Sequence, residues 1–201
     1  RTAACKADCV VLNGTSNVYE VKSDYDSMDR LANQLAAYRK VFDCIRVITS
    51  ERLLPKVSAI AGDWVGLSVL RARGSIGDIK KPISMKHAVL PEVIFDSLRR
   101  PEYENIVLCQ FGRIPDVPNT RIYGECKALF SQLTPEVAHD EMVRVVKNRG
   151  DRMRLREFIE GVPSSLKAAS LSCRLTPSDR VALLTVLQRP VRECFPSLGQ
   201  M

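Results

Sequence analysis

Two short β-branched runs separated by Asn13-Gly14 constrain the fold of this chain more than any other feature of its sequence. The first run extends from Asp8 to Leu12, and the second from Val18 to Lys22. Because Asn-Gly between two such runs is a strong signal for a tight turn, the pattern predicts a β-hairpin. Antiparallel pairing returns the chain on itself, so Asp8 is expected to lie close to Glu20.

The triplet Glu20-Val21-Lys22 carries chemistry suited to phosphodiester hydrolysis. Two neighbouring carboxylates repel each other, and a hard divalent cation such as Mg²⁺ relieves that repulsion. We therefore expect a metal ion between Asp8 and Glu20. Lys22 follows Glu20 by two residues and points to the same strand face, where its ammonium group would hold the attacking water or neutralise charge on a phosphate.

The segment after this triplet predicts an amphipathic helix of about four turns. Its apolar residues recur at steps of three and four, namely Met28, Leu31, Leu35, Tyr38 and Phe42. Asp26 or Ser27 is expected to cap its start. Arg30, Gln34 and Tyr38 step by four along one side and are expected to face the acidic end of the hairpin. The plain alternative is that Tyr38 belongs to the core and Gln34 to the solvated surface.

Two other acid-x-Lys triplets compete with the first. Glu125-Cys126-Lys127 lies in a helical pattern with no strand before it. Asp78-Ile79-Lys80 is the closer rival, because Asp63 precedes it by fifteen residues and a strand-like run separates the two. No Gln-x-x-x-Tyr helix follows it, and this difference favours the first triplet.

These residues resemble a known group of enzymes. Asp8, Glu20-Val21-Lys22 and Gln34 to Tyr38 are similar to the PD-(D/E)xK nuclease superfamily, in the RecB-like branch where a Gln-x-x-x-Tyr helix follows the catalytic strand. The run from Tyr19 to Leu31 also resembles a family of small bacterial and phage proteins with a Tyr-Glu-(Ile/Val)-Lys-Ser-Asp signature. Members of the nuclease superfamily usually carry a helix before the first strand, and this chain, which starts at Arg1, is expected to lack that helix.

The resemblance implies both a fold and a site. The fold would be α/β, with a restriction-endonuclease-like mixed sheet. Mg²⁺ (or Mn²⁺) would be held by Asp8, Glu20 and the carbonyl of Val21. The resemblance further implies that Lys22 is the catalytic lysine, supported by Gln34 and Tyr38. The implied catalytic set is Asp8, Glu20, Lys22, Gln34 and Tyr38.

Helical periodicity dominates the chain after Pro91, where Gly and Pro separate successive segments. Thr134-Pro135 and Thr176-Pro177 are typical helix starts. Before that point, strands are predicted over 45–49 and 64–70, with Trp64 in the core. We therefore predict a nuclease-like core over 1–88 and an all-helical extension over 89–201.

Composition limits the partners of this chain. The net charge is +7, and residues after 70 carry most of the excess, with 21 Lys and Arg against 15 Asp and Glu. The basic clusters predicted to contact a phosphate backbone are Arg71, Arg73, Lys80, Lys81 and Lys86, and Arg144, Lys147, Arg149, Arg152, Arg154 and Arg156. No apolar run has the length of a membrane span, which favours a cytoplasmic protein. Seven cysteines without a Cys-x-x-Cys pair favour free, buried thiols.

The sequence thus predicts a metal-dependent nuclease whose partner is nucleic acid, DNA in preference to RNA. Homo-oligomerisation stays open. One alternative is a non-catalytic nucleic-acid-binding or scaffold protein that keeps the nuclease fold. A second alternative is a helical interaction protein in which the hairpin has no chemical role.

Overall fold

The computed structural model describes residues 6–71, 74–149, 152–173 and 175–189, and of residues 152–154 only the backbone. Its strands form one mixed sheet in the order β1-β2-β3-β4-β5. The strands are β1 (Cys9–Asn13), β2 (Thr15–Lys22), β3 (Cys44–Thr49), β4 (Gly66–Leu70) and β5 (Ile76–Lys80). The three central strands are parallel, and the outer strands pair antiparallel to their neighbours.

Helices connect the parallel strands and predominate in the described chain after β5. They are α1 (Leu31–Arg39), α2 (Leu54–Ile60), α3 (Pro91–Phe95), α4 (Arg100–Phe111), α5 (Asn119–Phe130), α6 (Pro135–Val146), α7 (Arg152–Gly161), α8 (Ser164–Ser172) and α9 (Pro177–Leu187). The predicted fold class, a mixed sheet followed by an all-helical C-terminal region, is confirmed. None of these helices, in the part of the chain that the structure describes, has the length and apolar character needed to cross a bilayer.

The predicted hairpin is present. Gly14 lies at its tip with φ of 73°, a left-handed conformation that glycine adopts without steric cost. Cys9 pairs with Tyr19, so the next step outward sets Asp8 opposite Glu20. Strand β2 begins three residues earlier than predicted, and its side chains alternate between partly exposed and buried. The buried face of β2 carries Ser16, Val18, Glu20 and Lys22.

Helix α1 is shorter than the sequence predicts. It begins at Leu31, and no side chain caps its start. Asp26 instead accepts hydrogen bonds from the backbone and hydroxyl of Ser23, and Ser27 bonds to Asp29. The predicted caps were wrong because these short polar side chains stabilise local turns ahead of the helix.

Two apolar cores support the first part of the chain. One lies between the sheet and helices α1 and α2 and includes Leu31, Leu35, Tyr38, Val18, Ile45, Val47, Val57 and Leu67. The other lies among α3 to α6 and centres on Phe95, Tyr103, Ile106, Cys126, Phe130 and Met142. Val41 belongs to the helical core, and Phe42 packs against both cores. The segment after α1 therefore joins them.

The chain divides into two compact units between residues 147 and 148, and not at residue 88, where the sequence predicted a domain boundary. A physical reason is visible in the contacts that cross position 88. The backbone N–H of Leu90 donates to the carbonyl of Lys40 at 2.8 Å, and Ser16 Oγ lies 2.7 Å from His139 Nε2. These contacts, with the apolar contacts of Val41 and Phe42, hold residues on both sides of position 88 in one unit. Helices α7 to α9 lie in the second unit.

Within the second unit, α7 and α9 pack together closely. A Cβ atom at Gly161 would lie 3.0 Å from a methyl carbon of Leu184, so glycine permits this approach. The guanidinium of Arg180 lies 5.6 Å from the ring centroid of Phe158. Thr176 caps α9 through a capping box with Asp179, as its Thr-Pro start predicts.

The expectation that the cysteines are buried was wrong for three of the five described thiols. Cys9, Cys109 and Cys173 are exposed, whereas Cys126 lies in the helical core. Cys5 and Cys194 lie outside the described residues. Cys9 lies on β1, an edge strand whose side chains are mostly exposed.

A buried histidine connects the sheet to α6. His139 Nε2 lies 2.7 Å from Ser16 Oγ, and His139 Nδ1 lies 3.2 Å from Asp140 Oδ1. Both Ser16 and His139 are fully buried. Burial lowers the pKa of His139 below its ordinary value near 6.5, although Asp140 and Asp43 favour its charged form. The Lys86 ammonium, which bonds to Asp140, also disfavours protonation.

We expect this histidine to make folding depend on pH. The unfolded chain takes up a proton near pH 6.5 while the folded chain resists it, so the free energy of unfolding is highest above that pH. It should fall as the pH drops from about 7 to about 5. Urea unfolding at a series of pH values measures this slope. His139→Gln should flatten the slope and His87→Gln, at an exposed position, should leave it unchanged. An unchanged slope in His139→Gln would contradict the assignment.

Candidate functional site

Glu20 and Lys22 form a buried ion pair on the inner face of β2. Glu20 Oε1 lies 3.0 Å from Lys22 Nζ, and the side chains are 2% and 7% exposed. The two-residue period of a strand places both on the face that packs against α1. Burying two charges removes their hydration, so such a pair requires further hydrogen bonds to be stable.

Helix α1 supplies those hydrogen bonds from one side. Gln34 bridges the pair, because its Nε2 donates to Glu20 Oε1 at 2.5 Å and its Oε1 accepts from Lys22 Nζ at 2.8 Å. The Tyr38 hydroxyl lies 2.8 Å from Glu20 Oε2 and 3.1 Å from the carbonyl of Lys6. Tyr38 is therefore both part of the sheet core and a partner of the carboxylate. The i, i+4 spacing predicted that Arg30, Gln34 and Tyr38 would face this end of the hairpin. Gln34 and Tyr38 do, whereas Arg30 precedes α1 and is exposed.

Asp8 borders the pair from the edge of the sheet. Its Oδ2 accepts a hydrogen bond of 2.9 Å from the backbone N–H of Val21. Asp8 is exposed, unlike Glu20. The structure thus places Asp8, Glu20, Lys22, Gln34 and Tyr38 at one end of the hairpin. Val21 contributes its N–H here, and the metal-binding role of its carbonyl stays a prediction.

The donor chemistry of this site fits a hard cation. No group of three or more His, Cys, Asp and Glu residues within the described ranges is placed to hold a metal. Mg²⁺ needs only one or two carboxylates, because water completes its coordination. A carboxylate has about four acceptor positions, and Glu20 uses three of them for Gln34, Lys22 and Tyr38. The remaining position on Oε2 and the second oxygen of Asp8 would serve as ligands.

The competing triplets have other roles. Asp78 Oδ1 accepts hydrogen bonds from Arg46 at 2.5 Å and from Ser68 at 2.8 Å, on the opposite face of the sheet from Glu20. Lys80 donates to the carbonyl of Gly62 at 3.4 Å. In α5, Lys127 pairs with Asp96, which also accepts a hydrogen bond from Tyr123. In neither triplet does the lysine pair with the carboxylate of the same triplet, as Lys22 does with Glu20.

Several residues of the predicted basic clusters pair with acids. Lys86 pairs with Asp140 at 2.6 Å, Arg144 with Glu141 at 2.5 Å and Arg156 with Glu160 at 2.7 Å. These pairs reduce the positive charge that the clusters offer to a phosphate backbone. Arg73 lies outside the described residues, as do the side chains of Arg152 and Arg154.

One contact next to the site was not anticipated from the sequence. Asp24, two residues after Lys22, accepts a hydrogen bond from Ser50 at 2.5 Å and pairs with Arg52 at 3.2 Å. The Ser50 hydrogen bond lowers the pKa of Asp24, as does Arg52. The loop that follows Lys22 is thereby tied to the end of β3. No local pattern signals this, since the partners are 26 and 28 residues away.

Comparison with known proteins identifies the family. Residues 2–171 match the family model described as bacteriophage P4 protein cII. The chain belongs to the bacteriophage P4 protein cII family. It is 29% identical over 149 residues to protein cII of Enterobacteria phage P4, which covers 72% of this chain and 54% of that relative. The cII-family chain thus spans about half the length of the curated relative it matches, and no solved structure matches it.

This finding corrects the family resemblance drawn from the sequence. The resemblance to the PD-(D/E)xK nuclease superfamily was wrong as a family assignment, because the cII family model accounts for most of the chain. That resemblance depended on a few residues over 8–49, and a Glu-x-Lys strand followed by Gln and Tyr is too short a pattern to define a family. The geometry of Glu20, Lys22, Gln34 and Tyr38 is independent of that assignment.

Proposed function

We propose that this chain is a metal-dependent nuclease that hydrolyses phosphodiester bonds in the cytoplasm, in DNA rather than RNA. The observation that supports this is the buried Glu20–Lys22 pair, held by Gln34 and Tyr38 with Asp8 beside it. A buried ion pair adds little to stability relative to apolar residues of similar size. The presence of such a pair in the interior, together with so complete a set of hydrogen bonds, favours a chemical role.

Each residue of the site has a role in the proposed reaction. Gln34 fixes the Lys22 ammonium at one position, where it would neutralise the negative charge that develops on a phosphate oxygen. Tyr38 and Gln34 orient the Glu20 carboxylate. Asp8 would provide the second carboxylate. Mg²⁺ or Mn²⁺, held by Asp8, Glu20 and the Val21 carbonyl, would supply an activated water and a Lewis acid.

A second candidate is a nucleic-acid-binding or scaffold protein without catalysis. The observation in its favour is that Glu20 is only 2% exposed, with both of its oxygens already hydrogen-bonded. In this case the polar cluster would position α1 on the sheet and bind no metal. Metal binding therefore distinguishes the two candidates.

We expect hydrolysis of labelled DNA to require Mg²⁺ or Mn²⁺ and to stop with EDTA. Asp8→Asn should lower Mn²⁺ affinity at least about tenfold, since loss of even an indirect metal contact has that effect. Asparagine can still accept the Val21 N–H, so the hairpin should remain intact. Calorimetric Mn²⁺ titration measures the affinity, and Asp63→Asn, at an exposed carboxylate, is the matched control.

The substrate panel should contain single-stranded, duplex and branched DNA and the corresponding RNA. Cleavage of RNA alone would contradict the proposed substrate while leaving the reaction class in place. Absence of both Mn²⁺ binding and cleavage would favour the scaffold candidate.

A further inference from the structure

A groove with a volume of about 480 Å³ lies on the side of α1 away from Gln34 and Tyr38. From α1 it is lined by Ala32, Ala36 and Arg39, which follow at positions i, i+4 and i+7 and so form one stripe. Its other walls come from the end of α2, the turn before β4 and the segment before α3, and include Ile60, Trp64 and Leu90. The volume lies in the range of small-molecule sites.

An indole ring and a guanidinium group together form one wall of the groove. The Arg39 guanidinium lies 5.6 Å from the centroid of the Trp64 ring. Gly62 lets the indole approach the backbone, because a Cβ atom at that position would lie 2.7 Å from Trp64 Nε1. Trp64 was predicted to be a core residue, and it does pack against the sheet core while also bordering the groove.

The charges of the groove have one sign. Arg39 and Lys40 are exposed, and among the described residues neither side chain forms an ion pair or a hydrogen bond. None of the described residues that line the groove is acidic. An apolar floor beside two cations that have no acidic partner among the described residues is complementary to a ligand that has both an apolar ring and negative charge.

We propose that this groove binds a free nucleotide. Its base would lie against Trp64 and the apolar floor, and its phosphates would contact Arg39 and Lys40. The groove is short and has both cations on consecutive residues at the end of α1, which suits a compact anion better than an extended acidic peptide. This site is separate from Glu20 and Lys22, and the proposal does not depend on the nuclease function.

Trp64 is the sole tryptophan of the chain, so its fluorescence reports on the groove directly. Titration of the full chain with ADP should change that fluorescence in a saturable manner, and calorimetry should give the same affinity. Adenosine, which lacks the charge, and pyrophosphate, which lacks the ring, should each bind at least about tenfold more weakly. Equal affinity for ADP and pyrophosphate would overturn the proposal.

Variants separate occupation of the groove from nonspecific attraction. Ala36→Phe should abolish ADP binding by filling the groove, and the position is exposed on a helix, so folding should persist. Arg39→Ala should weaken binding about tenfold, whereas Lys56→Ala on the exposed surface of α2 should not. Circular dichroism and thermal melting check that each variant is folded. Unchanged calorimetric affinity in folded Ala36→Phe, or absence of ADP binding to the unmodified chain, would overturn the proposal.

Discussion

Lys22→Met should reduce metal-dependent DNA hydrolysis by about a hundredfold to a thousandfold, the loss typical when a preorganised charge-stabilising donor is removed. Methionine keeps the length of the side chain but has no ammonium group. Glu20 retains hydrogen bonds from Gln34 and Tyr38 in this variant, so α1 should stay in place. The rate constant under saturating Mg²⁺, measured well below the melting temperature, tests this expectation.

The control for Lys22→Met is the lysine of the rival triplet. Lys80→Met removes the same charge from a strand, yet the Lys80 ammonium donates only to the Gly62 carbonyl among the described residues. Its turnover should remain within a few-fold of the unmodified chain, apart from a modest weakening of DNA binding. A loss in Lys80→Met as large as that in Lys22→Met would show that the wrong triplet had been chosen. Full activity in Lys22→Met would refute the nuclease proposal.

Glu20→Leu should lower the free energy of unfolding by about 3–5 kcal/mol, the usual cost of removing one partner of a buried ion pair. Among the described residues, the Lys22 ammonium would then keep Gln34 alone as a partner, and the Tyr38 hydroxyl would lose its acceptor at 2.8 Å. Urea unfolding measures the loss. Glu51→Leu, an exposed glutamate, should change stability by no more than about 0.5 kcal/mol.

The double variant Glu20→Leu with Lys22→Met distinguishes an ion pair from two independent residues. Because both charges leave the interior together, most of the stability lost in Glu20→Leu should return. The coupling energy between the two positions should be at least about 0.5 kcal/mol, the lower end of the range for contacting residues. Additive losses would mean that Glu20 and Lys22 do not form a pair in solution. Recovery of stability without activity would indicate that the pair is kept for chemistry.

The buried position of the site has a further consequence for metal access. Glu20 is enclosed by Gln34, Lys22 and Tyr38, whereas Asp8 is exposed. A metal ion would therefore reach the site from the side of Asp8. The Val21 N–H holds the Asp8 carboxylate against the hairpin.

Local physics made the inner arrangement of the site predictable from the sequence. Asn13-Gly14 sets the hairpin, and its pairing brings Asp8 opposite Glu20. The two-residue period of a strand puts Glu20 and Lys22 on one face of β2. The four-residue step of a helix puts Gln34 and Tyr38 on one side of α1. Each of these relations is decided by neighbours only a few residues apart. The helix caps at Asp26 and Ser27 were predicted wrongly, because turn formation competes for the same side chains.

Tertiary structure alone decided how these local elements meet. Packing of α1 on the sheet places the Gln34 amide between Glu20 and Lys22, and no residue spacing specifies that contact. Ser16 and His139 are 123 residues apart, and they meet because α6 packs against β2. The same contacts merge the sheet with helices up to residue 147 into one unit, beyond the boundary predicted at residue 88. Sequence periodicity determines which face a side chain occupies, whereas the burial of apolar surface from distant segments determines what that face touches.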